Sequence, residues 1–492
     1  MFVVRWFWFS ASQLKNIQEA MKLNAMFYAG FALAGAVQAL PASRPEVKRF
    51  TAFTRPLELE QGEVTNTFHR LEIPKGPIAV YRFEADVVEK GDDGKPIPTP
   101  IFDAYLHHHV VGSNHKAYAK ESGKWAPMKP VNFSRSVGFG AGTESRGTPQ
   151  EFYYPYAFVT VEGEDEWFAN VHVINTRKMT PANAHKCLEC PCTSEDVFTK
   201  TSVNGRKFFP DSCNAELRHE NNTVCAAATY HGGLRCCEEA AFCLEKEDLT
   251  ETPKSTYYLR YTIEYSEVTP ENRPLYLAGC CDASGDFTNH GNIEYDIPPC
   301  DPIVHPGCVH TLSTRQYLDK DISTPYNFLQ GNGDLSDREV DVVFAVGHQH
   351  RGGMGISLYN DATGELICNS VPHYGSGDVV GNEKDYVVAM TTCTFDPPLR
   401  MRASDVVRVV SLYNNTMPHT GAMSLMYLAI SDVGTTSVAL MASVKSDGSS
   451  IKLITGSTVF VIGGVVAALV VIVGVTKHLK KRRGYSPLLS TN

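Results

Sequence analysis

Several signatures are missing from this 492-residue chain. No basic patch lies outside its extreme C-terminus, and the net charge is −9, so no nucleic-acid partner is expected. No pair of carboxylates stands in a glycosidase pattern. Neither a Gly-x-Ser-x-Gly elbow nor a Gly-rich phosphate loop is evident. No long amphipathic helix can be traced, which argues against a helical bundle. The 28 Pro and 38 Gly are dispersed, so no long disordered stretch stands out. An apolar content of 43% is nonetheless ordinary for a chain that buries a core.

What is present points to the secretory pathway. Val459 to Val475 is an almost unbroken apolar run, extended upstream by Ile454 to Thr458, and roughly 20 such residues span a bilayer. Lys477, Lys480, Lys481, Arg482 and Arg483 follow it and mark the cytoplasmic side. Near the other end, Met21-Lys-Leu-Asn opens an apolar run that closes on Val37-Gln-Ala39, in the order of a signal sequence. Met21 is a better start than Met1. The expected topology is a single-pass type I membrane protein of the secretory pathway or cell surface. Fourteen cysteines allow a disulfide framework in an oxidising compartment. Sequons at Asn132, Asn221 and Asn414 are candidate glycosylation sites between signal and anchor.

The expected fold class is all-β: two tandem antiparallel jelly-roll or β-sandwich domains with a Cys-rich insertion, plus one C-terminal transmembrane helix. Runs such as Ile78–Val88, Trp167–Ile174, Tyr257–Tyr265, Val340–Val346 and Val406–Leu412 are rich in Tyr, Val, Thr and Phe, with turns between them. Residues 1–42 are the signal sequence and 43–267 the first sandwich, interrupted by the Cys-rich insertion 187–243. Residues 268–432 are the second sandwich, 433–455 a stalk, 456–476 the transmembrane helix and 477–492 a cytoplasmic tail. Cys368 and Cys393 lie on neighbouring strand-like segments and are a candidate bridge.

Histidines carry the candidate chemistry. His107, His108 and His109 are consecutive, His172 lies in Asn170-Val-His172-Val-Ile, and His348-Gln-His350 precedes Gly352, Gly353 and Gly355. Residues i and i+2 of a strand share a face, so His348 and His350 project together, about 7 Å apart at the backbone. By the same parity His107 and His109 share a face and His108 points away, unless a bulge reorients it. The glycines leave room where a substrate or partner backbone approaches. Met423 is a soft donor that with imidazoles favours Cu(I), although a core role is the commoner fate of a methionine.

A family resemblance rests on longer passages. They are Tyr105-Leu-His-His108, Asn170-Val-His172-Val-Ile, Gly232-Gly233-Leu-Arg-Cys236-Cys237 and Ile293-Glu-Tyr-Asp-Ile297. Further along come His348-Gln-His350-Arg-Gly-Gly, Gly381-Asn-Glu-Lys-Asp-Tyr-Val-Val, Thr391-Thr-Cys393 and His419-Thr-Gly421-Ala-Met423. In this order, over about residues 100 to 430, they resemble the stress-up-regulated nodulin family. The order of the sites is also similar to that of the ascorbate-dependent type II copper monooxygenases, the peptidylglycine α-hydroxylating and dopamine β-type enzymes. That likeness implies two copper ions, one on His107, His108 and His172 and one on His348, His350 and Met423. His107 with His109 remains the alternative first pair. It also implies ascorbate as electron donor and O₂-dependent C–H hydroxylation of a small-molecule or peptide substrate. The peptide-binding residues of the amidating enzyme are not recognisable, so amidation is not implied. The competing expectation is a non-catalytic cell-surface or copper-sequestering protein on the same fold.

Overall fold

The structure is a computed structural model. It describes residues 44–433 except 116–137, 161–164, 190–201, 204–205, 208–238, 279–280, 284–294, 305–306, 319–338 and residues 241, 245, 251, 298 and 403. The expected signal sequence, transmembrane helix and cytoplasmic tail, most of the expected Cys-rich insertion, Asn132 and Asn221 therefore lie outside the described residues. Among the described residues, no helix is long and apolar enough to cross a membrane.

The strand-like runs form antiparallel sheets. In the N-terminal half, Lys48–Phe53, Ser255–Glu267, Ile78–Lys90 and Tyr156–Val159 lie side by side in one sheet, while Val64–Leu71, Asp165–Asn175, Ala104–His115 and Gly138–Ala141 form a second. The C-terminal half repeats the arrangement. Tyr276–Ala278, Ser424–Asp432, Glu339–Gln349 and Thr392–Arg402 form one sheet, and Val309–Tyr317, Val406–Asn414, Gly353–Asn360 and Leu366–Ser370 the other. The chain passes between the halves at Leu275: Arg273 and Pro274 pair with the first half and Tyr276 with the second.

Alternation explains the core. Trp167, Ala169, Val171 and Val173 occupy alternate positions of one strand and are fully buried. Burying a large apolar side chain in this way contributes roughly 1.5–3 kcal/mol. The hydrophobic cluster runs unbroken from the first half into the second. Phe152 packs edge-on against Phe344 with ring centres 5.5 Å apart. Tyr156 donates its hydroxyl to Asp341 at 3.1 Å, which reinforces the same boundary.

Three disulfides are described: Cys187–Cys243, Cys300–Cys308 and Cys368–Cys393. The last links Leu366–Ser370 of one C-terminal sheet to Thr392–Arg402 of the other.

A short 3-10 turn, Thr143–Gly147, latches the halves together. Arg146 donates to buried Asp86 of its own half and to Glu383 of the other, at 2.6 and 3.1 Å. Met390 donates its backbone N–H to Thr148 at 2.8 Å. Gly147 lies so close to Val388 that a Cβ there would sit 2.3 Å from the carbonyl oxygen.

Candidate metal centre

The strand Ala104–His115 pairs with Asp165–Asn175 on one side, and the pairing slips at the histidines. His108 stands opposite His172 and Leu106 opposite Val173, so His107 is the extra residue of a β-bulge. Without the bulge, parity would send His108 away from His107. With it, His107, His108 and His172 bring ligand atoms within 4.8 Å of one another. The ring of His107 stacks on that of His172 at 4.3 Å, and His108 meets His172 edge-on at 4.8 Å. His109 goes the other way, opposite Val171, and its ring lies 5.8 Å from Phe83 in the core.

His348 and His350 come from the end of Glu339–Gln349 and the turn after it. Their rings meet at 5.1 Å, as i, i+2 spacing requires, while Gln349 between them turns away to bond Ser411 at 2.8 Å. The two histidine sets are not held apart. His107 packs edge-on against His350 with ring centres 4.7 Å apart, so five imidazoles from both halves form one cluster. His172, His107, His348 and His350 are all buried, while His108 is half-buried.

Neighbouring groups fix which ring nitrogen carries the proton. A carboxylate or carbonyl oxygen can only accept, so the nitrogen facing it must be N–H. His348 donates Nδ1–H to Glu144 at 2.7 Å, and its Nε2 has no hydrogen-bond partner among the described residues. His350 donates Nδ1–H to the carbonyl of Gly421 at 2.6 Å. His108 donates Nε2–H to Asn170 Oδ1 at 2.8 Å, and the Asn170 amide is oriented by donating to Asn66 at 2.8 Å. In a neutral ring the other nitrogen then carries a lone pair. Tethering a ligand imidazole through its outer nitrogen is the usual support of a metal site.

Burial favours the neutral form of His107, His108 and His109. Burial pushes His107 down to about 3, helped by neighbouring His348, and pushes His108 to about 3. Burial also lowers His109 to about 4, partly opposed by Glu144. For Glu144 burial acts upward, but His348 and the N–H of Gly142 hold the carboxyl below its usual range. Imidazoles beside one buried carboxylate, with His107 and His108 kept neutral by burial, form a donor set fit for a transition-metal ion.

Met423 is buried at the same end. Gln349 pairs with Ser424, which places Met423 one step further along, toward His350. Tyr413 ties the two segments together, since its hydroxyl accepts from the N–H of His350 at 3.0 Å and donates to the carbonyl of Met423 at 2.6 Å.

Gly352 and Gly353, after His350, do not open space for a substrate. Gly352 has φ +89°, and a Cβ on it would stand 2.6 Å from the His419 ring, while one on Gly353 would meet Gln349 at 2.8 Å. They make room for the chain's own side chains. The glycine that serves the cluster is Gly142, where a Cβ would lie 2.6 Å from His348 Cε1 and 2.7 Å from the carbonyl of His107. Gly142 and Glu144 sit in no histidine motif. Their only signal is chemical, since a buried ligand histidine needs an acceptor for its second nitrogen.

Asn414 is exposed at the end of its strand, and its Oδ1 accepts from the hydroxyl of Thr416 at 2.9 Å. The sequon is thus accessible.

No curated protein matches the chain. Among solved structures, a chain in the structure of infectious bursal disease virus Gt strain is 7% identical, with 80% of this chain and 72% of that chain covered and a TM-score of 0.14. The insecticidal delta-endotoxin Cry8Ea1 from Bacillus thuringiensis is 8% identical, with 77% and 60% covered and a TM-score of 0.15. Scores this low carry no argument about fold or function. The sequence passages that link the histidine cluster to the strands around it fall within a family match over residues 45–433, and the chain belongs to the family described as Stress up-regulated Nod 19.

Proposed function

We propose that this chain is a copper-binding protein of the secretory pathway, anchored by residues 456–476, whose two jelly-roll halves hold copper between them. The observation that carries the reading is the convergence of His107, His108, His172, His348 and His350 from both halves, three of them tethered through the nitrogen turned outward. His107, His108 and His172 form one ligand set. His348, His350 and Met423 form the adjoining one, for two ions in all. Imidazoles with a thioether suit copper better than calcium or magnesium. Bound copper would supply one-electron chemistry and, with ascorbate as donor, O₂-dependent C–H hydroxylation of a small-molecule or peptide substrate. The chain's own contribution is to hold neutral imidazoles in fixed tautomers, to keep Glu144 ionised beside His348, and to exclude water.

A second reading, copper sequestration without turnover, is favoured by burial: the rings of His107 and His172 stack on one another, and His172 is 0% exposed. Oxygen-electrode measurements on the copper-loaded chain separate the two. Ascorbate-dependent O₂ uptake above that of free copper supports hydroxylation, and tight copper binding without uptake supports sequestration. A wild-type chain that fails to bind copper in competition with a chelator sinks both.

A further inference from the structure

We propose that Glu144 is a positioning residue that reaches across from the N-terminal half to hold His348 of the C-terminal half in the tautomer able to bind metal, so that metal binding and the seating of the 142–148 latch are linked. The inference rests on the copper reading above and adds a residue and a linkage to it. Glu144 is 1% exposed and gives Oε1 to His348 Nδ1 at 2.7 Å. The same oxygen accepts the backbone N–H of Gly142 at 2.9 Å, which fixes the carboxylate rather than leaving it to follow the ring. With Nδ1–H committed to Glu144, the neutral ring of His348 has its lone pair on Nε2, which has no hydrogen-bond partner among the described residues.

The turn that carries Glu144 is seated from several directions. Ser145 donates to the carbonyl of Ala85 at 2.9 Å, Arg146 bridges Asp86 and Glu383, and Thr148 accepts from Met390. A shift of this turn would therefore move the acceptor of His348, and an ion pulling on His348 would pull on the turn. That is thermodynamic linkage through one hydrogen bond.

The test uses the purified full-length chain and copper(I) alone, titrated against a competing chelator. Glu144→Met removes the acceptor at similar size and is expected to weaken copper(I) binding about 10–100-fold. Glu144→Gln keeps an acceptor oxygen and should recover most of that loss. In a His348→Ala background, Glu144→Met should add nothing, because its route to the metal is gone; a merely structural role would lower affinity in both backgrounds. Should Glu144→Met fail to fold, hydrogen exchange on the wild-type chain decides. Copper(I) is expected to slow exchange of the Met390 and Ser145 amides and to leave unchanged the Asn360 amide, which bonds the carbonyl of Glu365 at the end of Gly353–Asn360 remote from His350. Equal affinities for Glu144→Met and wild type, a loss repeated in the His348→Ala background, or no slowing at Met390 would each overturn the proposal. A wild-type chain that binds no copper would instead remove the copper reading, and this inference with it.

Discussion

Gly142→Ala is the smallest change that reaches the histidine cluster. The added methyl would lie 2.6 Å from His348 Cε1, 2.7 Å from the carbonyl oxygen of His107 and 3.1 Å from Glu144 Oε2. The His348 ring could swing aside, but the carbonyl is backbone within the bulge and has little freedom to do so. Overpacking of this kind typically costs 1–3 kcal/mol, so a stability loss of about 2 kcal/mol is expected. Gly140, two residues earlier, is the control. Its Cβ would meet nothing closer than 3.6 Å, an ordinary contact, so Gly140→Ala should cost under about 0.5 kcal/mol. Denaturant midpoints of the two metal-free variants, compared at equal slope, give both numbers. The displaced His348 should also weaken copper binding in Gly142→Ala and not in Gly140→Ala. Equal midpoints for the two variants would refute the packing described at the bulge.

Removing Arg146 leaves Asp86 and Glu383 as buried carboxylates without their main cation. Arg146→Met should therefore cost about 3–5 kcal/mol in chemical unfolding, and a loss under about 1 kcal/mol would contradict the latch. Burial lowers His69 to about 4, with Arg55 acting in the same direction. A base depressed in the folded state leaves the unfolded chain to take up the proton first, so its stabilising contribution is complete above the unfolded value of about 6.5 and is lost as pH falls toward 4. From pH 7.5 to 5 this amounts to about 2 kcal/mol. His69→Gln should shrink the acid-induced loss by that amount, and an unchanged pH profile would show that His69 does not drive it.

Much of the strand pattern was legible because alternation is local. Trp167 to Ile174 and Val340 to Val346 both read as strands, and both are strands. The pairing of His348 with His350 follows from the same parity. The choice among His107, His108 and His109 was not legible, because a bulge depends on which partner strand slips past which, and one residue of slip changes every facing. The convergence of both histidine sets was hidden for a related reason: it depends on how the two halves dock. Arg146, Glu144 and Thr148 govern that docking, and none of them stands in a motif. The glycines after His350 carried a misleading signal. Close approach was the right physical reading for Gly352, but the approaching group is His419.

The central claim is that imidazoles from both halves hold copper together, and copper content per chain after equilibrium dialysis tests it most directly. Wild type, His172→Ala and His348→Ala should be compared under identical free copper. The account predicts bound copper in the wild type and a loss in each variant, one altered in each half, because the two ligand sets adjoin at His107 and His350. Copper absent from the wild type, or content unchanged in both variants, would contradict it.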